Sequence, residues 1–104
     1  MLNLDMDFLA ESIKLHGKNK KEVICCEEMS ELTKEICKDI RGEKRRHKIV
    51  EEYADILLCL KMLKIIHGIN DSELQEWINF KQERQRKRDA EYIKEKEHET
   101  AQEI

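Results

Sequence analysis

Two short acidic motifs offer this chain its clearest chemistry: Glu27-Glu28-Met29-Ser30-Glu31, and Glu52-Tyr53-Ala54-Asp55. Either alone carries little weight, because a chain with 23 Asp and Glu residues contains such spacings by chance. On helices they mean more. Residues three apart on a helix are neighbours, so Glu28 pairs with Glu31 and Glu52 with Asp55. At about 100° per residue, with Glu52 at zero, Asp55 falls at about 300°, and Cys59, Leu63, Ile66, Ile56 and Met62 fall among or beside the two acids. Both acids thus sit within an apolar arc, where a carboxylate needs a partner or a bound cation. On the preceding segment Glu28 borders the arc of Leu32, Cys25, Ile36 and Met29, with Glu31 one step further out.

The two motifs also share a register. Their midpoints lie symmetrically about Gly42, a natural turn, so an antiparallel hairpin sets all four carboxylates at one height. Four negative charges crowded in a low-dielectric cleft repel unless a cation sits among them. Hard oxygen ligands select magnesium, manganese or calcium rather than zinc or copper. The competing reading has these acids making interhelical ion pairs with Lys34, Lys38, Lys48 or Lys61.

The elements that must position these residues are helices. Helical spacing predicts a first helix from about Asp5 to His16, stopped by Gly17. A second runs from Asn19 to Arg41, with Asn19 and Glu22 spaced as a capping box and Gly42 as the stop. A third spans Glu43 to His67, ended by Gly68. A fourth opens at Asn70, with Glu73 three residues on, and passes Trp77 and Phe80. Short connections force antiparallel neighbours, so the expected fold is all-α: an antiparallel helical bundle of about four helices. The third helix is apolar around nearly its whole circumference, from Ile56 through Leu57, Leu58, Leu60, Met62 and Leu63 to Ile66. Such a helix wants burial on all sides, which predicts a bundle completed by oligomerisation, as a dimer or tetramer. Residues 1–88 form the expected helical domain, and residues 89–104 a charged, solvated or frayed helical tail.

Composition agrees and excludes. With 41% charged and 5% aromatic residues, no proline and three glycines, few positions can break a helix. A formal charge of −3 gives no support to nucleic-acid binding. No run of about 18 apolar residues could cross a membrane, and the N-terminal residues lack signal-peptide regions, so a cytoplasmic protein is expected. Cys25, Cys26, Cys37 and Cys59 show no CxxC pairing and read as reduced thiols packed as small apolar groups. The basic stretch Lys44-Arg45-Arg46-His47-Lys48 at the central turn has no reading beyond solubility.

The paired motifs resemble those of the MazG-like all-α nucleoside triphosphate pyrophosphohydrolases. That family carries EExxE on one helix and, some twenty residues later, ExxD on the next. Here the pattern is Glu27-Glu28-x-x-Glu31 followed by Glu52-x-x-Asp55, with Arg41-Gly42 between them and Lys64-Ile65-Ile66-His67-Gly68-Ile69 after. The similarity covers roughly residues 8–88. It implies that Glu28, Glu31, Glu52 and Asp55 bind Mg2+, with Mn2+ a possible substitute, and form the catalytic centre. It implies hydrolysis of a nucleoside triphosphate, ribo or deoxy, to the monophosphate and pyrophosphate. Glu27 is either an assisting base or an exposed neighbour.

Phosphate oxygens beyond the metal need donors, and Lys18, Lys20 and Lys21 on the second helix, with Lys81, Arg84 and Lys87 on the fourth, are the candidates. Of these, Lys18, Lys21, Lys81 and Arg84 are the expected substrate-binding residues. Trp77, Phe80 and Tyr53 could stack on a base, though packing is their commoner role. The rival to an enzyme is a helical interaction or regulatory module whose acids pair with lysines. A weaker third reading is a related histidine-pathway or deoxyuridine-specific pyrophosphatase.

Overall fold

In a computed structural model, which describes residues 1–103, the chain forms four helices: α1 (Met6–His16), α2 (Lys18–Ile40), α3 (Arg46–Ile66) and α4 (Asp71–Glu103). No strand occurs among the described residues, and the fold is an all-α helical bundle. The chain divides into two compact units, Met1–Gly68 and Ile69–Ile104, of which the first holds α1, α2 and α3 and the second α4.

Local chemistry fixes most helix ends. Asp5 caps α1, its Oδ1 accepting the Phe8 N–H at 3.0 Å. The chain then reverses through Gly17 alone, whose φ of 90° strains any residue with a Cβ. Because Gly17 itself is the boundary, α2 starts at Lys18 without a side-chain cap. Asn19 and Glu22 therefore do not form the expected capping box. Asn19 is already inside the first turn, and the Glu22 carboxylate instead meets Nε2 of His67, next to the end of α3.

The central turn is longer than the sequence implies. The third helix opens at Arg46 rather than Glu43, because Lys44 takes a left-handed φ of 50° and the Arg45 N–H is held by Oδ1 of Asp39 at 2.9 Å. Two successive helical residues cannot be built through that geometry. The fourth helix begins as expected. Asn70 Oδ1 accepts the Glu73 N–H at 2.8 Å, and Glu73 Oε2 accepts the Asn70 N–H at 3.1 Å, a reciprocal capping box. From there α4 runs as one helix through Glu103, and the side chains described in it are exposed.

Within the first unit α2 packs along α3, and α1 lies against both. The core is small: Leu9 and Ile13 of α1, Cys25 of α2, and Cys59 and Met62 of α3, with Leu63 and Ile66 packed against them. Cys25 and Cys59 behave as the small apolar groups expected, and the Cys25 Sγ–H points at the Cys59 carbonyl at 3.7 Å. Cys26 and Cys37 do not; both are exposed on α2, so the packing reading holds for two thiols of the four. Val50, Tyr53, Leu58, Leu60 and Ile65 of α3 remain exposed, as do Ile36 and Ile40 of α2. No helix among the described residues is long and apolar enough to cross a membrane.

Candidate metal centre

Antiparallel packing of α2 on α3 brings Glu28 opposite Glu52 and Asp55. One oxygen from each of the three lies within 4.8 Å of the other two, and all three side chains are half-buried. At that range two unit charges repel by roughly 3–4 kcal/mol for an effective dielectric of about 20, less where water reaches them. The electrostatics register the crowding. Burial first, then the Asp55 and Glu52 carboxylates, push the Glu28 carboxyl up from 4.5 to about 6.

Beside the trio lies the buried Cys25–Cys59 contact. Cys25 is one turn before Glu28 and Cys59 one turn after Asp55, so these thiols line the side of the carboxylates away from solvent. Burial, the Cys25 thiol and the nearby Glu28 and Asp55 carboxylates push the Cys59 thiol up to about 12. Thiolate is the metal ligand form, so this sulfur stays neutral at ordinary pH, and the donors on offer are carboxylate oxygens. Hard oxygen donors in a cluster suit Mg2+, Mn2+ or Ca2+.

A further feature tests the fit of a cation. Oε2 of Glu52 is buried and accepts no hydrogen bond. Buried carboxylate oxygens are nearly always partnered, and an orphan on a carboxylate grouped with two other acids has the chemistry of an open ligand position. Of the lysines proposed as alternative partners, Lys38 pairs with Glu35 and Lys48 with Glu51, while Lys34 pairs with Glu31, one of the four expected ligands. Among the described residues no Lys, Arg or His forms an ion pair with Glu28, Glu52 or Asp55.

The other expected site residues are dispersed. Glu31, the fourth expected ligand, stands outside the trio: its side chain is exposed and its carboxylate lies 4.0 Å from Lys34. Glu27 is exposed as well. Lys18 and Lys21 lie in the first turn of α2, about 15 Å and 10 Å along the helix axis from Glu28 at 1.5 Å per residue. Lys81 and Arg84 belong to the second unit, where Lys81 Nζ stands 6.0 Å from the Trp77 ring and the Arg84 guanidinium 5.8 Å from that of Phe80. Trp77 and Phe80 meet edge to face at 5.9 Å, and both rings are exposed.

One functional pairing escapes the reading of the basic turn as mere solubility. Arg45 Nε donates to Oε2 of the buried Glu35 at 2.6 Å, with Lys38 Nζ at 3.8 Å from Oε1. The hydrogen bond from Arg45 holds the Glu35 carboxyl below its ordinary range. The wheel contains the signal: Glu35 is seven residues from Glu28 and so returns to within about 20° of it, on the stripe that faces α3. Compared with known proteins, the chain matches no protein-family model, no curated protein and no solved structure.

Proposed function

We propose that this protein is a divalent-cation-dependent nucleoside triphosphate pyrophosphohydrolase, taking Mg2+ first and Mn2+ as a substitute. The observation that carries this reading is the trio itself: three carboxylates from two helices within 4.8 Å, no cation-bearing side chain paired with them, and one oxygen of Glu52 buried without a partner. The paired EExxE and ExxD motifs support the nucleotide substrate.

Glu28, Glu52 and Asp55 hold the cation, and Glu31, one turn from Glu28, enters the ligand set on the strength of the motif alone. When bound, the cation shields phosphate charge and acidifies a water. The chain's own residues supply the rest. Glu52 and Asp55, fixed three apart on α3, present their oxygens from one side, and Glu28 presents its own from the other. Cys25 and Cys59, both buried, flank the trio on its core side and offer no charged donor. Lys18 and Lys21, in the first turn of α2, are the proposed donors to phosphate oxygens beyond the cation. The reaction cleaves between the α- and β-phosphates, releasing monophosphate and pyrophosphate. An interaction module built on lysine pairing is disfavoured because Glu28, Glu52 and Asp55 form no ion pair with Lys34, Lys38 or Lys48.

The exposed apolar side chains of α3 further support a homo-oligomer as the working form. The direct test of the reaction incubates the protein with each ribo- and deoxynucleoside triphosphate plus magnesium and separates the products. Monophosphate with pyrophosphate is the expected outcome. Diphosphate with orthophosphate, or no turnover of any triphosphate, overturns the proposal.

A further inference from the structure

Among the described residues Glu35 is the buried charged side chain, at 6% exposure, and its shortest contact comes from Arg45 in the turn, with Lys38 of α2 further off. Arg45 is tied to α2 twice. Its side chain reaches Glu35 at 2.6 Å and its backbone N–H reaches Asp39 at 2.9 Å, while the residue itself caps the start of α3. Where α3 begins along α2 is therefore set by two polar contacts of defined length.

Those contacts stand in a simple relation to the carboxylate trio. Glu35 lies seven residues after Glu28 on α2, and Arg45 seven residues before Glu52 in the chain that becomes α3. Seven residues are two turns, about 10 Å of helix. In an antiparallel hairpin, equal offsets in opposite directions put the ion pair directly in line with the Glu28–Glu52 approach.

The other polar contacts between these helices are more exposed or weaker: the Glu22 carboxylate meets Nε2 of the exposed His67 at the opposite end, and the Cys25 thiol points at the Cys59 carbonyl at 3.7 Å. The buried core contributes one α2 side chain, Cys25, and two from α3, Cys59 and Met62. Thiol and thioether groups are small or adaptable, and such surfaces slide past one another at low cost. Repulsion among Glu28, Glu52 and Asp55 favours sliding in the metal-free protein. Something must oppose it, and a buried, geometrically specific ion pair is the device best attested for fixing helix register.

From this geometry we infer that Arg45 is a positioning residue: through Glu35 it sets the α2–α3 register that brings Glu28 against Glu52 and Asp55, and so sets the affinity of the trio for its cation. The inference rests on the metal reading above. A ligand set has to be held within about 0.5 Å to keep its affinity, and a helix allowed to slip by a fraction of a turn exceeds that.

The test uses the full chain, Mn2+ alone as the probe, and electron paramagnetic resonance of free Mn2+ to read binding. Thermal melts without metal are recorded beside it. Replacing the pair together, as Glu35→Leu with Arg45→Leu, removes the register device and leaves only Lys38, whose side chain still reaches water, without its acid. That double variant is expected to keep the wild-type melting temperature or exceed it, yet bind Mn2+ about tenfold more weakly, the lower end of what supporting residues contribute to metal sites. Arg45→Lys, which keeps the charge but shortens its reach, is expected to fall between the two. A pair that merely stabilises the fold would shift melting and leave the Mn2+ affinity of folded protein unchanged. Wild-type affinity in either folded variant therefore overturns the inference. If the double variant does not fold, Arg45→Lys carries the same decision. A wild type that fails to bind Mn2+ ends the metal reading and this inference with it, whereas a binding wild type with unaffected variants ends only the inference.

Discussion

Glu28 and Glu35 stand two turns apart on one stripe of α2, and their carboxyls are driven in opposite directions. Glu35 has Arg45 at 2.6 Å and is held below the ordinary carboxylate range, while Glu28 has only Asp55 and Glu52 for company and rises to about 6. The same helix face thus carries one acid paired with a guanidinium and one grouped with two further acids. A stripe built only for ion pairing would have no reason to treat the two differently.

This contrast predicts a pH dependence with two opposing parts. For Glu28 the folded value, about 6, lies above the unfolded 4.5, so folded protein holds a proton that the unfolded chain has released. Its contribution to stability is full below pH 4.5 and is lost as pH rises to about 6. Glu35 behaves oppositely, contributing above pH 4.5 and losing that contribution as pH falls through its depressed folded value. Melting temperatures of metal-free protein between pH 4 and pH 7.5, for wild type and Glu28→Gln, separate the parts. Glu28→Gln should flatten the decline between pH 4.5 and 6. An unchanged decline in that variant would mean the crowding around Glu28 is relieved in solution.

The Asn70–Glu73 box predicts a local cost. Asn70→Ala removes the acceptor of the Glu73 N–H, and helix caps of this type contribute about 1 kcal/mol. Hydrogen exchange at the first turn of α4 should accelerate by roughly fivefold, which is about 1 kcal/mol at 25 °C, with amides of α2 and α3 unaffected. Protection unchanged at Glu73 would show that the box is not formed in solution.

How far the sequence could be read depended on how local each interaction was. The Asn70–Glu73 box involves two residues three apart, and it formed as written. The equally well-spaced Asn19–Glu22 pair did not, because Gly17 two residues earlier claims the helix boundary and His67, distant in the chain, claims Glu22. Glu52 and Asp55 lie within an apolar arc on the wheel and were brought together with Glu28. Glu31 stands a further 60° or so toward solvent, the consequence of its three-residue step from Glu28. Arg45 carries no local signal of its partner, because nothing in a run of five basic residues says which one folds back onto a buried acid. The exposure of Cys26 beside the fully buried Cys25 is simply the step of one helical residue.

The apolar surface of α3 predicts assembly. Val50, Tyr53 and Leu60, with Ile36 and Ile40 of α2, are all exposed in the single chain. Their transfer from water contributes about 25 cal/mol per Å² of apolar area, enough for a few such side chains to drive association. Light scattering at micromolar concentration should show a dimer or larger, and Leu60→Glu should shift it toward monomer. A folded wild-type monomer would mean that these side chains tolerate water.

The sharpest separation of metal centre from scaffold comes from Asp55→Asn. The substitution keeps shape while removing one of three crowded charges. If Asp55 exists to bind a cation, the metal-free variant should fold and melt at or above the wild-type temperature, because repulsion with Glu28 is relieved. It should also lose nearly all hydrolysis. Magnesium should raise the wild-type melting temperature by mass action, worth about 2.7 kcal/mol at a hundredfold excess over Kd, and should raise that of the variant much less. A scaffold predicts the reverse. There Asp55 would neutralise a basic partner, and losing it would strand that charge at about 3–5 kcal/mol. No such partner pairs with Asp55 among the described residues, and the nearest charges are acids. Melts of both proteins, in chelator and in magnesium, therefore decide the matter by sign alone. A strongly destabilised variant, beside a wild type indifferent to magnesium, would end the metal reading, because repulsion that does not exist cannot be relieved.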